Sequence, residues 1–321
     1  MLRTLFLVAV MFGAAGVSAA AGYPSRPVKV VVPWPPGQAT DIAARLLAQK
    51  LQEAFGQPFV IDNRPGAGGS IGTAIAAKSP ADGYTLLAAS SGPVSVMPSL
   101  QKLPYDPVRD LVMLGLISRS PYVLVVSPSF PAKDAKEFVA LLRASPDKYT
   151  FGSSGAGATG HLLEELFNSM TGIRARHVPY KGAGPELVDV MNGQVDYAIE
   201  VVAATVGHVR AGRLRALGVS TARRAAALME VPTLQQAAEL PDYDMGVWIG
   251  LAAPSSLPQE VYERLSREVR KAMASKDLRN RLLGAGLDPV ASTPEELQTF
   301  IRAEQERYAA VIQSANIRLD P

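Results

Sequence analysis

Val28-Lys29-Val30-Val31-Val32-Pro33-Trp34-Pro35-Pro36-Gly37-Gln38-Ala39-Thr40-Asp41 runs directly into Ile42-Ala43-Ala44-Arg45-Leu46-Leu47. A β-branched apolar run reads as a buried strand, prolines stop it, and apolar residues at helical spacing follow. The stretch therefore predicts a strand, a rigid loop and a helix. In α/β sheets ligands lie beyond the carboxyl ends of strands, where helix N-termini offer free N–H groups and a dipole that favours anions. A cradle for a small anion is the first expectation.

The same unit recurs along the chain. Phe59-Val60-Ile61 precedes a glycine-rich turn from Asp62 to Gly72 and a small-residue helix from Thr73 to Lys78, and the strand Tyr84 to Ala89 empties into Ser90-Ser91-Gly92-Pro93. This rhythm predicts a mostly parallel sheet with right-handed crossovers, its loops opening on one edge. Val112 to Ile117 and Tyr122 to Val126 read as two further strands. A second rhythm follows: helix Ala135 to Ala144, strand Tyr149 to Gly152, loop Ser153 to Gly160, helix His161 to Thr171 and strand Arg174 to Val178. A helix ending at Met191 and strands Asp196 to Val201 and Arg213 to Ser220 complete a second sheet on the plan of the first. Met245 to Ala252 reads as a returning strand. The amphipathic helices Gln259 to Ala274 and Pro294 to Ala315 are expected to dock on the first half. Lobe 1 is thus 23–122 plus 246–321, and lobe 2 is 123–245. Crossovers near Ser120-Pro121 and Tyr243 to Trp248 make a two-strand hinge.

At 321 residues, 48% of them hydrophobic and 19% charged, the chain can bury two domain cores. Met1-Leu2-Arg3, the apolar run Leu5 to Val17 and the small residues Ser18-Ala19-Ala20-Ala21 read as a secretory signal over 1–21. The run is shorter than the ~20 residues a spanning helix needs. With no cysteine, the exported chain has neither disulfide nor thiolate. The formal charge of +3 is spread without a basic block, which argues against nucleic acid and suits a mild field for anionic solutes. A monomer is expected.

Two motifs suggest chemistry and lack its other parts. Gly155-Ala156-Gly157-Ala158-Thr159-Gly160 matches the dinucleotide fingerprint, but the next strand ends His177-Val178-Pro179-Tyr180, without the acid that holds a ribose. What remains is a helix entrance lined by Ser153, Ser154 and Thr159 hydroxyls, suited to a carboxylate or phosphate. Gly68-Gly69-Ser70-Ile71-Gly72 matches a nucleophile elbow, so an exported serine hydrolase using Ser70 is the alternative reading. None of the three histidines, His161, His177 and His208, occupies the late loop a triad requires. No catalytic residue, metal or cofactor is expected. Glu200, at a strand end, accepts a ligand's amino or hydroxyl group, or is solvated at the surface, or caps the following helix. Asp41 caps a helix or faces a ligand, Trp34 stacks on a solute or wedges its loop, and Lys181 meets an anion or solvent.

Pro33 to Gly37 with Asp41, Asn63 to Gly69, Asp82-Gly83-Tyr84-Thr85-Leu86, Tyr149 to Gly157 with His161, His177 to Gly182 and Trp248 to Pro254 together resemble the Bug family. These are periplasmic solute receptors of tripartite tricarboxylate transporters. The resemblance spans the mature chain and implies a type II periplasmic binding protein, two α/β lobes closing on a small organic carboxylate (a di- or tricarboxylate, an aromatic acid or an amino acid). It implies delivery to the transporter's membrane subunits or to a sensor, in the periplasm of a Gram-negative bacterium. Carried onto this chain, the solute is held by backbone and water at Trp34, Pro36, Gly37, Gln38, Ala39 and Asp41 in one jaw. Ser153, Gly155, Ala156, Gly157 and Thr159 form the other, with Ser90, Ser91, Lys181 and Glu200 beside them. Trp34 replaces the usual Phe or Tyr, Gln38 a second glycine, and Glu200 a frequent Asp. Trp34 beside Gln38 favours a ring-bearing or hydroxylated acid.

Overall fold

A computed structural model describes residues 22–241 and 243–314. The expected signal over 1–21 and the chain after Ser314 lie outside the described residues. The elements in order are β1 (Val28–Val32), α1 (Ala39–Phe55), β2 (Phe59–Asn63), α2 (Ser70–Ala77), β3 (Thr85–Ser90) and β4 (Leu111–Val126). Next come α3 (Ala135–Arg143), β5 (Thr150–Ser153), α4 (Thr159–Thr171), β6 (Arg176–Pro179), α5 (Ala183–Met191), β7 (Tyr197–Val201), α6 (Val202–Arg210), β8 (Arg215–Val219) and the short α7 (Leu234–Ala237). The chain ends with β9 (Gly246–Pro254), α8 (Gln259–Ala274), α9 (Lys276–Gly284) and α10 (Pro294–Ser314).

The Val28–Val32 run is a central strand, its last three side chains fully covered, because β2 and β3 flank it in parallel and helices lie over both faces. The first sheet runs β2-β1-β3-β9-β4, with β9 antiparallel to both neighbours. In the second, β5 pairs in parallel with β6 and β7, while β4 lies antiparallel between β7 and β8. Each sheet therefore has the order second-first-third-visitor-fourth among its own strands. The visitor, β9 in one and the end of β4 in the other, is the strand that crosses from the opposite lobe. The Tyr122 to Val126 segment and the Val112 to Ile117 segment, read from sequence as two strands, are one. Leu111 to Pro121 pairs with β9 and Tyr122 to Val126 with β7 and β8. Pro121, which suggested a break, sits where the strand changes sheets and its partner is Gly246; irregularities between Met113 and Gly115 and between Leu116 and Ser118 take up the bend.

Ser220 joins the two crossovers. Its N–H donates to Tyr122 O (2.9 Å), its carbonyl accepts from Met245 N (2.9 Å), and its hydroxyl accepts from Tyr122 N (2.9 Å) and donates to Met245 O (2.5 Å). Beyond the crossover, α10 covers the first sheet: Leu297 and Ile301 enter the cluster containing Val31, Leu87 and Trp248, and the Tyr308 hydroxyl donates to Gly246 O (3.2 Å). Gly72 is required by closeness alone, since a Cβ there would lie 2.5 Å from Arg64 O and 2.8 Å from Pro33 Cα. α7 and α9, not anticipated from periodicity, are short, with four and nine residues.

Ser220→Ala orphans Tyr122 N–H and Met245 O and should cost about 1–3 kcal/mol in urea unfolding. Leu297→Ala should cost about 2–5 kcal/mol, and truncation after Ala291 should remove cooperative unfolding of the first lobe, read by circular dichroism on heating.

Candidate ligand-binding cleft

In an open α/β sheet the ligand crevice lies where strand order reverses, outside the carboxyl ends of the strands. The order β2-β1-β3 reverses between β1 and β3, and the order β6-β5-β7 reverses between β5 and β7. The structure brings these two reversal points face to face. Trp34, Gln38, Ala39 and Thr40 after β1 and Ser90, Ser91 and Gly92 at the end of β3 supply one wall of a cavity. Ser154, Ala158 and Thr159 after β5 and Glu200 and Val201 at the end of β7 supply the other, with Tyr122 and Val247 of the crossover strands at the back. The hydroxyls of Ser91 and Thr159 meet across it at 3.1 Å. The enclosed space is about 30 Å³, room for a water or two and far below the ~300 Å³ of ordinary small-molecule sites.

Each jaw is pinned by side chains that do not line the cavity. Asp41, 2% exposed, accepts from Gly37 N (2.9 Å), Arg45 Nε (2.9 Å) and Asn63 Nδ2 (2.9 Å), and Asn63 Nδ2 also donates to Trp34 O (3.0 Å). Burial alone would raise the Asp41 carboxyl, yet hydrogen bonds from Arg45, Gly37 and Asn63 hold it below the usual carboxylate range. Its role is loop geometry. In the other jaw Ser153 Oγ lies 2.6 Å from His177 Nε2, Gly157 N donates to His161 Nδ1 (3.2 Å), and the two imidazoles stack with centroids 4.0 Å apart. Burial, with His161 beside it, pushes His177 down to about 3, so it is neutral throughout the physiological range.

Of the residues expected from sequence, the cavity collects Trp34, Gln38, Ala39, Ser90, Ser91, Thr159 and Glu200. Outside its lining, Pro36, Gly37, Gly155, Ala156 and Gly157 lie in the jaw loops, Asp41 in the first turn of α1 and Ser153 at the end of β5, and Lys181 is exposed. Trp34 wedges the loops as well as lining the space: its Nε1 donates to Ser90 Oγ (2.9 Å), and its ring fills the room a Cβ on Gly92 would need. Glu200 is neither solvated nor a surface cap, being 3% exposed, with Oε1 accepting from Val201 N at 2.6 Å. Ser154, read from sequence as a hydroxyl at the α4 entrance, also lines the cavity, whereas Thr40, Gly92, Tyr122, Ala158, Val201 and Val247 were missed. Thr40, Gly92, Ala158 and Val201 adjoin chosen residues and were within reach, but Tyr122 and Val247 enter only because the crossover strands contribute to the wall.

The N-termini of α1, α4 and α6 converge on the cavity, and none has a side-chain cap. Their N–H groups and dipoles, with the Ser and Thr hydroxyls, favour a carboxylate, and the lining has no Lys, Arg or His. Ser70 is elsewhere, 4% exposed and packed beside Tyr105, while His161 and His177 are engaged in the second jaw. The elbow reading thus lacks its base. Among the described residues no cluster of His, Cys, Asp and Glu fits a metal, and no helix is long and apolar enough to cross a membrane.

The model of the tripartite tricarboxylate transporter family receptor matches residues 43–317. Protein BugT of Bordetella pertussis is 38% identical over 326 residues, covering 99% of each chain. The structure of Rpa4515 from R. palustris with adipate superposes with a TM-score of 0.88 at 36% identity, over 92% of this chain and 99% of that one. MatC from Rhodopseudomonas palustris with bound malate gives 0.83 at 30% identity, over 90% of this chain and all (100%) of that one.

Asp41→Asn should lower stability by about 1–3 kcal/mol at neutral pH. Because the folded carboxyl sits low, its contribution is present above the unfolded value near ~3.9 and is lost as pH falls through the folded value. Wild type and variant unfolding curves should therefore converge as pH falls through the folded value.

Proposed function

The chain belongs to the tripartite tricarboxylate transporter receptor family, and from that premise we propose that it captures a small organic carboxylate between its lobes and passes it to the transporter's membrane subunits. It performs no chemical step. Residues 1–21 direct its export to the periplasm, where the mature chain works as a monomer. The observation that carries this reading is the meeting of two strand-order reversals, each with uncapped helix N-termini, in one cavity without a basic side chain.

The carboxylate sits against N–H groups and hydroxyls at the entrances of α1 and α4, drawn from both jaws. Relatives carry adipate and malate in the same fold. Binding needs the jaws to part, because about 30 Å³ admits no such solute. The parting is a rotation of 23–122 plus 246–321 against 123–245 about the crossovers, and a solute that touches both jaws favours the shut form.

Thermal-shift and calorimetric screening of the mature protein with dicarboxylates, tricarboxylates, aromatic acids and amino acids should yield a binder, stabilising by about 2.7 kcal/mol at a hundred times its Kd. No binder across these classes would overturn the reading. Thr159→Val should weaken the binder by at most about ten-fold, one hydrogen bond of ~1.4 kcal/mol, and should lower the stability of the free protein by the ~1 kcal/mol of the lost Ser91 contact.

A further inference from the structure

Two side-chain atoms in the cleft lining have no hydrogen-bond partner although they are buried: Gln38 Nε2, a donor, and Glu200 Oε2, an acceptor. They sit on opposite jaws, Gln38 at the entrance of α1 and Glu200 at the end of β7. An unpaired donor suits a carboxylate oxygen, and an unpaired carboxylate oxygen suits an N–H or O–H. We infer that Glu200 selects the solute, and that the solutes of this receptor are carboxylates that also bear a hydrogen-bond donor, a hydroxyl or an ammonium, in preference to bare dicarboxylates. This rests on the receptor reading.

The surroundings of Glu200 set its state. It is 3% exposed, and Glu186 from α5 and Glu164 from α4, both 0% exposed, lie behind it, with Tyr122 of β4 alongside. Glu164 Oε1 accepts from Ile199 N (2.5 Å), whereas neither oxygen of Glu186 accepts a bond from an N–H or hydroxyl. Two carboxyls in contact without a cation share a proton. Glu186 keeps it: burial and the charge of Glu200 push its carboxyl well up. Burial raises Glu200 too, and the Val201 N–H, bonded to Oε1 at 2.6 Å, works against that rise. With the shared proton on Glu186, Glu200 presents Oε2 to the cleft as an acceptor, in a lining with no basic side chain to offset it. A second solute carboxylate at that point meets like charge in a water-poor site, whereas a hydroxyl or ammonium completes the bond.

The experiment is calorimetry on the mature full chain with matched acids that differ in one substituent: propionate, lactate and alanine; succinate, malate and aspartate; glutarate, 2-hydroxyglutarate and glutamate. In the set whose length fits, the hydroxyl or ammonium member should bind at least about ten-fold tighter than the bare acid. The two donor members separate the hydroxyl from the ammonium source. Glu200→Gln offers a donor as well as an acceptor, so it should cut the preference to about three-fold or less by weakening the donor-bearing acid and strengthening the bare diacid. Glu186 is a positioning residue. Glu186→Gln keeps a neutral polar group of the same shape behind Glu200 and should retain the wild-type preference, whereas Glu186→Leu should lower donor-acid affinity with melting as the control for folding. A bare acid that binds as tightly as its substituted partners, or a preference unchanged in Glu200→Gln, overturns this inference and leaves the receptor reading standing. No binding by any member, nor by citrate or benzoate, overturns both.

Discussion

One strand belongs to two sheets. β4 changes partners between Pro121 and Tyr122, and the hydroxyl and backbone of Ser220 tie that point to the returning chain at Met245. Because each sheet takes its visitor strand from the other lobe, their carboxyl edges are held facing each other rather than at an arbitrary angle. The reversal points of the two sheets, the mouths of α1 and α4 and the contact of Ser91 with Thr159 all follow from this stitching.

The cleft handles an anion without a cation. Hydroxyls and uncapped helix ends are weaker than an arginine fork but are fixed by the backbone, and their desolvation cost falls mainly on the solute. Rigid jaws make this work. Asp41 and Asn63 hold the first loop, and the His161–His177 stack holds the second. Both sets bond to loop backbone or to Ser153 rather than into the cavity.

Much of the frame was legible in sequence. The Val28–Val32 strand, its proline stop and the Ala39–Phe55 helix follow from periodicity, as does the repeat of the plan after Ala135. Hidden were the features set by distant chain segments. Pro121 looked like a break because a local reading cannot see that its partner is Gly246. Glu200 looked equally fit for solvent or ligand because its burial is created by α4 and α5, with Glu164 and Glu186 on them, neither of which alternates with it in sequence. Tyr122 and Val247 carried no motif and entered the cleft through topology alone. Asp41 was ambiguous for a simpler reason: a helix-start acid is a cap or a ligand until Asn63 and Arg45 are seen to occupy its oxygens.

The hydroxyls of Ser91 and Thr159 occupy each other when the jaws meet. They act as a built-in competitor: a solute gains from these two groups only what exceeds a bond they already make, a neutral pair of about 1 kcal/mol. Shutting empty is correspondingly cheap, so affinity is capped from within, and release after delivery is assisted by the protein re-forming its own contact.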